Sequence, residues 1–267
     1  MPELPEVQTV LDGLVKTLRE KEIKALDCHY QGTVIHDPEI IKPAFPARTT
    51  AFARRGKYMI LTLDSGNSLI IHLRMTGKLV HTTTKCPPDK HERACFVLTW
   101  KEAVHFIDPR TFGKIVVCNT KNVANYLPKL GAEPLDVEFD HLYLKHMLSG
   151  RKAPIKNIML DQRIIAGLGN IYVSEILYRS GVRPDRPAGK ITDKELKAIV
   201  KDTKAVLREA IAKNGTSISD FRRIDDKSGE FQNFLKVYQK QQCPLGHDIE
   251  VIRLAGRGSF FCPICQK

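Results

Sequence analysis

Apolar positions recur at helical spacing from the first residues of the chain: Val7, Val10, Leu11, Leu14 and Leu18 share one face. Pro5 stands where an N1 proline opens a helix, and Glu6 suits the positive end of the helix dipole. The period then changes. "KYMILTLDSGNSLIIHLRM" is two apolar runs joined by Asp64-Ser65-Gly66-Asn67, a hairpin signal. "ACFVLTW", "AVHFID" and "KIVVC" add further runs rich in β-branched and aromatic residues. To about residue 130 the pattern predicts an antiparallel β-sandwich or barrel carrying one N-terminal helix.

"LGAEPLD" breaks this pattern, and helical spacing follows. The clearest helix is predicted over about 193–213. Thr192 and Glu195 form its capping box, Leu196, Ile199, Val200, Leu207, Ala210 and Ile211 its buried stripe, and Gly215 its stop. Two shorter helices, about 153–160 and 170–179, flank "DQRIIAGLGN". Gly167 and Gly169 permit a sharp turn there, and Asn170 is placed to cap the second helix. Free N–H groups at such a helix start make a phosphate site. An ordinary helix–loop–helix corner fits the spacing equally well. The polar stretch "DFRRIDDKSGEF" leads into a compact cysteine-bearing tail. The expected class is α+β, with a β-sandwich over 1–131, a helical domain over 132–225 and a hairpin module over 226–267.

Charge narrows the partners. Among 267 residues, 42 Lys+Arg against 30 Asp+Glu leave a formal +12, with a pI near 9.4. This suits nucleic acid or an anionic membrane surface, and the lack of a basic amphipathic helix with a bulky apolar face favours nucleic acid. No apolar run approaches the roughly 20 residues of a membrane span, and no signal peptide is recognisable. A cytoplasmic location is the expectation.

Seven cysteines spread over a long chain argue against a disulfide framework. Cys28, Cys86, Cys95 and Cys118 sit mostly among apolar neighbours and read as packing residues. The tail differs: "CPLGHDIEVIRLAGRGSFFCPIC" offers Cys243 and His247, then Cys262 and Cys265 as a C-x2-C knuckle. Reduced thiols in a small hairpin are one reading. One structural Zn2+ held by these four is favoured, because so small a module lacks a core. The hairpin tip is expected at Gly256-Arg257-Gly258, projecting Arg257 toward a phosphate.

The first residues, "MPELPE", raise a separate chemical question. A frayed end is one reading. With Met1 removed, Pro2 is instead a secondary amine beside the carboxylate of Glu3, a potential nucleophile.

"PELPE", "RRGKY" (54–58), "HLRMTG" (72–77), "DPRTFG" (108–113), "AGLGNIYVSEIL" (166–177) and "AGRG" (255–258) occur in one order along the chain. Together with the tail they resemble the formamidopyrimidine-DNA glycosylases, bacterial helix–two-turn–helix repair enzymes. The resemblance covers essentially the whole chain. It implies a monomer that takes damaged double-stranded DNA between the sandwich and the helical domain, near the nucleoid. Oxidised purines such as 8-oxoguanine and formamidopyrimidines would be excised, and the strand cut by β- and δ-elimination.

By the same resemblance Pro2 is the nucleophile, Glu3 the acid–base carboxylate, Glu6 a residue positioning the site, and Lys57 a phosphate-holding lysine. Met75, Arg110 and Phe112 would fill the space left by the extruded base, although by composition Met75 and Phe112 pass for core residues and Lys57 for a surface lysine. Asn170 and Arg257 would grip the backbone, joined by Lys156, His72 and His91.

Two departures stand out. Gly246 occupies the place of the family's second ribbon cysteine, with His247 as the substitute ligand, and Ser219 stands where the lesion-covering loop often carries a basic residue. An endonuclease VIII-type activity on oxidised pyrimidines and a non-catalytic DNA-binding protein are the rival readings. The joint presence of Pro2, Glu3, Glu6 and Lys57 speaks against the second.

Overall fold

The computed structural model describes residues 1–40, 42–83, 89–218 and 221–267. Helix α1 (Leu4–Leu18) carries a proline in its first turn and buries Leu4, Val7, Val10, Leu11, Leu14 and Leu18, the face its periodicity marks. Among the described residues ten strands follow: β1 (Glu22–Ile23), β2 (Ala25–Cys28), β3 (Val34–His36), β4 (Ala47–Arg55), β5 (Tyr58–Leu63), β6 (Asn67–His72), β7 (Lys78–Thr82), β8 (Glu92–Val97), β9 (Ala103–Ile107) and β10 (Lys114–Asn119). They form a six-stranded sheet, β1-β4-β5-β6-β10-β3, and a four-stranded one, β2-β8-β9-β7. Both sheets and α1 contribute to one core, including Leu14, Met59, Ile71, Phe96, Phe106 and Val117. This is the expected sandwich with its N-terminal helix.

The expected hairpin is β5–β6, antiparallel with Leu61 opposite Leu69, and Gly66 takes the left-handed φ of 85° that its turn requires. One pair departs from the antiparallel expectation: β3 runs parallel to β10. No hairpin joins these two strands, so no tight turn dictates their direction. Cys95 and Cys118 are buried, and chiefly by burial their thiols are pushed up to about 12 and about 11. Cys28 corrects the packing expectation. It ends the edge strand β2 and is exposed. Cys86 and Ser219 lie outside the described residues.

The described residues group into two compact units, Met1–Pro128 with Lys213–Glu230, and Lys129–Ala212 with Phe231–Lys267. The polar stretch after residue 212 thus folds back onto α1. Phe221 enters the sandwich core, and Ile224 lies so close to Gly13 that a Cβ there would meet its Cγ2 at 2.4 Å. The first unit also holds the short α2 (Val123–Tyr126).

In the second unit lie α3 (His141–Leu148), α4 (Ile155–Leu160), α5 (Asn170–Arg179), α6 (Asp193–Ala212) and the hairpin β11 (Glu250–Leu254) to β12 (Arg257–Phe261). The capping box of α6 forms as its sequence predicts: Thr192 N–H donates to Glu195 Oε2 at 2.8 Å, and Glu195 N–H donates to Thr192 Oγ1 at 3.4 Å. The tip of the hairpin is one step earlier than expected. Leu254 pairs with Arg257, and Ala255 and Gly256 make the turn with φ of 47° and 75°, so Arg257 begins a strand. Among the described residues no helix is long and apolar enough to cross a membrane.

Candidate functional site

The N-terminal residues are anchored, not frayed. Pro2, Glu3 and Glu6 are all buried, while Met1 is exposed. Both oxygens of Glu6 are committed: Oε2 accepts from Glu3 N–H at 2.8 Å, and Oε1 accepts from Thr216 N–H at 2.7 Å. One carboxylate therefore fixes the backbone beside Pro2 and ties it to the returning segment. Gly215 explains the local sequence. Its φ is +76°, and a Cβ there would lie 3.0 Å from Glu6 Oε1. The glycine expected only to stop α6 makes room for this carboxylate.

Lys57 follows Gly56 in the turn between β4 and β5, since Arg55 pairs with Tyr58. It is 6% exposed, which removes the surface-lysine reading. Arg54 holds this turn to α1 by donating to Gln8 Oε1 at 3.0 Å and to Gly56 O at 3.0 Å. His72 lies nearby, packed edge-on to Tyr58 with centroids 4.4 Å apart. Its Nδ1 accepts from Arg74 N–H at 2.9 Å. Burial first, then the charges of Arg74 and Lys57, push its pKa down to about 3, so the ring is neutral near pH 7.

This depression has a stability consequence. The unfolded chain takes up a proton near the ordinary value of 6.5, whereas the folded chain resists until about 3. Stability from neutral His72 is complete above pH 6.5 and is lost progressively as pH falls toward 3. Between about pH 7 and 5 the wild type should lose about 1–2 kcal/mol more than His72→Gln. Melting curves across that range check this. Parallel losses would show that His72 does not titrate on unfolding.

Met75 and Phe112 are 39% and 49% exposed, large apolar side chains left uncovered by the core. With Met1, Arg74, Thr111 and Lys114 they line one hollow of about 420 Å³. The chain terminus and the two candidate wedges thus meet at one place. The Arg110 guanidinium lies 4.9 Å from the Phe112 ring centroid.

Asp108 organises this corner, a role that sequence reasoning missed although the residue stands in "DPRTFG". It is fully buried. Oδ1 accepts from Thr76 Oγ1 at 2.5 Å and from Arg110 N–H at 3.2 Å, and Oδ2 accepts from Gly113 N–H at 2.7 Å. Its own N–H donates to His91 O at 2.9 Å. The loops bearing Met75, Arg110 and Phe112 therefore share one carboxylate, and the main-chain N–H of the same residue holds the loop of His91. An aspartate before a proline reads as ordinary turn chemistry, which is why the sequence hides it. Asp108→Ala strands three donors and should cost about 2–4 kcal/mol. It should also slow strand cleavage more on a duplex with a base-paired lesion than on an abasic duplex. Melting and single-turnover assays decide, and equal slowing on both duplexes would count against a role through the wedge loops.

In the second unit, Lys156 and Asn170 converge on β12. The wholly buried Lys156 donates from Nζ to Gly258 O at 3.1 Å and Ser259 Oγ at 2.8 Å. Asn170 Nδ2 donates to the same Gly258 O at 3.1 Å. Asn170 is the first residue of α5 and does not cap it; Gly169 holds that position. Its Oδ1 is buried, with no hydrogen-bond partner among the described residues. The turn before it is fixed by Gln162, which accepts from Gly167 N–H at 2.9 Å and donates to Leu168 O at 2.8 Å. Arg257 is exposed at the start of β12.

Cys243, His247, Cys262 and Cys265 come together as the sequence predicts, their ligand atoms all within 4.8 Å of one another. His247 Nδ1 lies 3.6, 3.8 and 3.3 Å from the sulfurs of Cys243, Cys262 and Cys265, and Cys243 and Cys265 sulfurs are 4.0 Å apart. A tetrahedral zinc with S at about 2.3 Å and N at about 2.0 Å sets about 3.6 Å between N and S and about 3.8 Å between sulfurs. The four residues fit such an ion.

Comparison with known proteins places these features. The family model of the formamidopyrimidine-DNA glycosylase N-terminal domain matches residues 1–115, and that of the formamidopyrimidine-DNA glycosylase H2TH domain matches residues 130–222. A formamidopyrimidine-DNA glycosylase of Desulfitobacterium hafniense is 38% identical over 273 residues, with 100% of each chain covered. The structure of a complex between a Lactococcus lactis FPG mutant and Fapy-dG containing DNA superposes with a TM-score of 0.91 at 32% identity, covering 100% of both chains. The MutM (Fpg) protein of Thermus thermophilus gives 0.87 at 33% identity, covering 99% of this chain and 98% of that one.

Proposed function

The chain belongs to the formamidopyrimidine-DNA glycosylase family, and from that premise we propose that Pro2, freed of Met1, is its nucleophile. The protein is a base-excision repair enzyme, a DNA glycosylase with lyase activity that acts on damaged double-stranded DNA. The observation that carries the residue assignment is the buried Pro2–Glu3–Glu6 terminus beside the hollow lined by Met1, Met75 and Phe112.

In this reading the Pro2 lone pair attacks C1′ of the extruded nucleotide and the bond to the base breaks. Glu3 protonates the sugar ring oxygen, opening the ring and leaving a Pro2 iminium. A secondary amine forms an iminium with no N–H proton to lose. It stays cationic and draws electrons from the C2′–H bond as that proton departs. The 3′ phosphate leaves, then the 5′ phosphate by a second elimination, and water returns the free amine. Glu6 acts on backbone geometry, as its two hydrogen bonds suggest. Lys57 holds a phosphate, and its positive charge disfavours protonation of the Pro2 amine.

Met75 and Phe112 wedge into the vacated stack while Arg110 bonds the orphaned base. His72 and His91 contact the backbone from the first unit. On the second unit, Arg257 is placed for a phosphate, with Lys156 and Asn170 setting the strand that carries it. Cys243, His247, Cys262 and Cys265 would hold one structural zinc, which when bound fixes the hairpin. We place the enzyme with the chromosome, in the bacterial cytoplasm.

Borohydride trapping on duplexes with different lesions tests this. Covalent adducts at residue 2 should form most on 8-oxoguanine and formamidopyrimidine. Preferential trapping on oxidised pyrimidines would favour the endonuclease VIII-type reading, and no trapping on any duplex would leave a DNA-binding protein.

A further inference from the structure

A second set of metal-ligand side chains lies on the outer face of the four-stranded sheet, within the first unit and apart from the ribbon cluster. Strands β8 and β9 pair Cys95 with His105, so both side chains share a face. The opposite face carries Ala94, Phe96, Val104 and Phe106 into the core. In regular pairing, Arg93 would stand opposite Ile107 and Glu92 would fall on the other face. A register shift between Glu92 and Ala94 sets Glu92 opposite Ile107 instead. The bulge delivers the carboxylate to the face of Cys95 and His105.

The ligand atoms of Glu92, Cys95 and His105 lie within 4.8 Å of one another. Glu92 Oε1 is 2.8 Å from His105 Nδ1 and 3.7 Å from Nδ1 of His29, which follows β2. Those separations bracket the roughly 3.3 Å between N and O ligands of a tetrahedral zinc. The orientation of His105 adds a second argument. Its Nε2 is 2.9 Å from Thr82 Oγ1. Thr82 Oγ1 can accept from that nitrogen, which leaves the Nδ1 lone pair on the carboxylate side free to ligate a cation. A ligating imidazole pinned through its far nitrogen is the usual arrangement around a bound metal. A plain Glu–His ion pair accounts for the 2.8 Å contact, but not for the buried Cys95 thiol gathered within 4.8 Å of both groups or for a second imidazole 3.7 Å from the same carboxylate.

We propose that Glu92, Cys95 and His105 form a second site for a zinc-class divalent cation, and that His29, 3.7 Å from Glu92 but outside the trio's 4.8 Å cluster, swings in to complete the shell. One thiolate, two imidazoles and one carboxylate select zinc, cobalt or nickel over magnesium or calcium. The bound ion clips β8, β9 and the end of β2 together. His29 is 40% exposed and gives the ion its path from solvent.

Cobalt titration of the full-length chain, with cobalt or zinc already in the ribbon, tests the site. The wild type should take up one further equivalent, with a thiolate-to-cobalt charge-transfer band. Cys95→Ser and His105→Gln should each lose that equivalent and keep the ribbon's. His29→Ala should bind it at least about tenfold more weakly, since even second-shell losses cost about 10–100-fold. Added zinc should raise the melting temperature of the ribbon-loaded wild type and not that of Cys95→Ser. If Cys95→Ser does not fold, His105→Gln carries the same readouts. Equal metal content and identical cobalt spectra in wild type and either variant would overturn the proposal and leave an ion pair beside a packed thiol. An undiminished affinity in His29→Ala would remove His29 from the shell.

Discussion

Pro2→Gly should reduce base release and strand cleavage together, on the order of 10³-fold or more, the scale on which losing a nucleophile acts. Binding to an abasic duplex should change little. Glycine supplies a primary amine on a freer backbone, and its imine can lose its proton, weakening the electron sink that elimination requires. The structure adds a reason for the size of the effect. Pro2 is buried, and the next peptide N–H is held by Glu6 at 2.8 Å, so the amine is aimed by a locked backbone. Retained Met1 should be equally damaging, because it leaves the Pro2 nitrogen an amide without a nucleophilic lone pair and itself lines the hollow shared by Met75 and Phe112. Mass spectrometry of active protein should find Met1 absent. Full activity in a blocked or Met1-bearing chain would sink the mechanism.

The second large effect concerns the ribbon. Stripping its metal, or His247→Ala, should lower DNA affinity on the order of tenfold to a hundredfold without changing the chemistry at Pro2. Structural zinc contributes about 10–16 kcal/mol in zinc-finger peptides, and the buried apolar cluster around these four residues is small: Val237, Cys243 and Cys262. The loss should spread beyond the metal. Gly258 O is the shared acceptor of Lys156 and Asn170, so a disordered β12 leaves a buried ammonium and amide without their partner. Metal analysis and binding titrations on the two proteins decide. Stoichiometric zinc and unchanged affinity in His247→Ala would mean that another group completes the site.

Much of this was legible in the residues because it is local. The α1 stripe, the β5–β6 hairpin and the Thr192–Glu195 box each lie within a short window, where period and capping chemistry act directly. The cluster of Cys243, His247, Cys262 and Cys265 was readable because thiol and imidazole spacing is a chemical signature. What escaped depends on distant partners. Nothing near Glu6 announces Thr216, and nothing in "DPRTFG" says that Asp108 receives Thr76 as well as Arg110 and Gly113. The β8 bulge was likewise invisible, since a one-residue slip leaves composition unchanged while moving Glu92 to the other face. Cys28 was misjudged because an edge strand and a central one look alike in sequence.

The return of residues 213–230 to the first unit has a consequence for synthesis on the ribosome. Glu6 emerges early, yet its partner Thr216 lies 210 residues downstream. At about 5–20 residues per second, the terminus waits roughly 10–40 s for that bond. The sandwich can collapse on its own strands and the local Glu3–Glu6 bond can form during that time, but the second hold on Glu6 is made only after α6. Removal of Met1, which the proposed nucleophile requires, can therefore precede the bond from Thr216. A chain released near residue 130 would carry the proposed nucleophile without the segment that holds Glu6 from its other side.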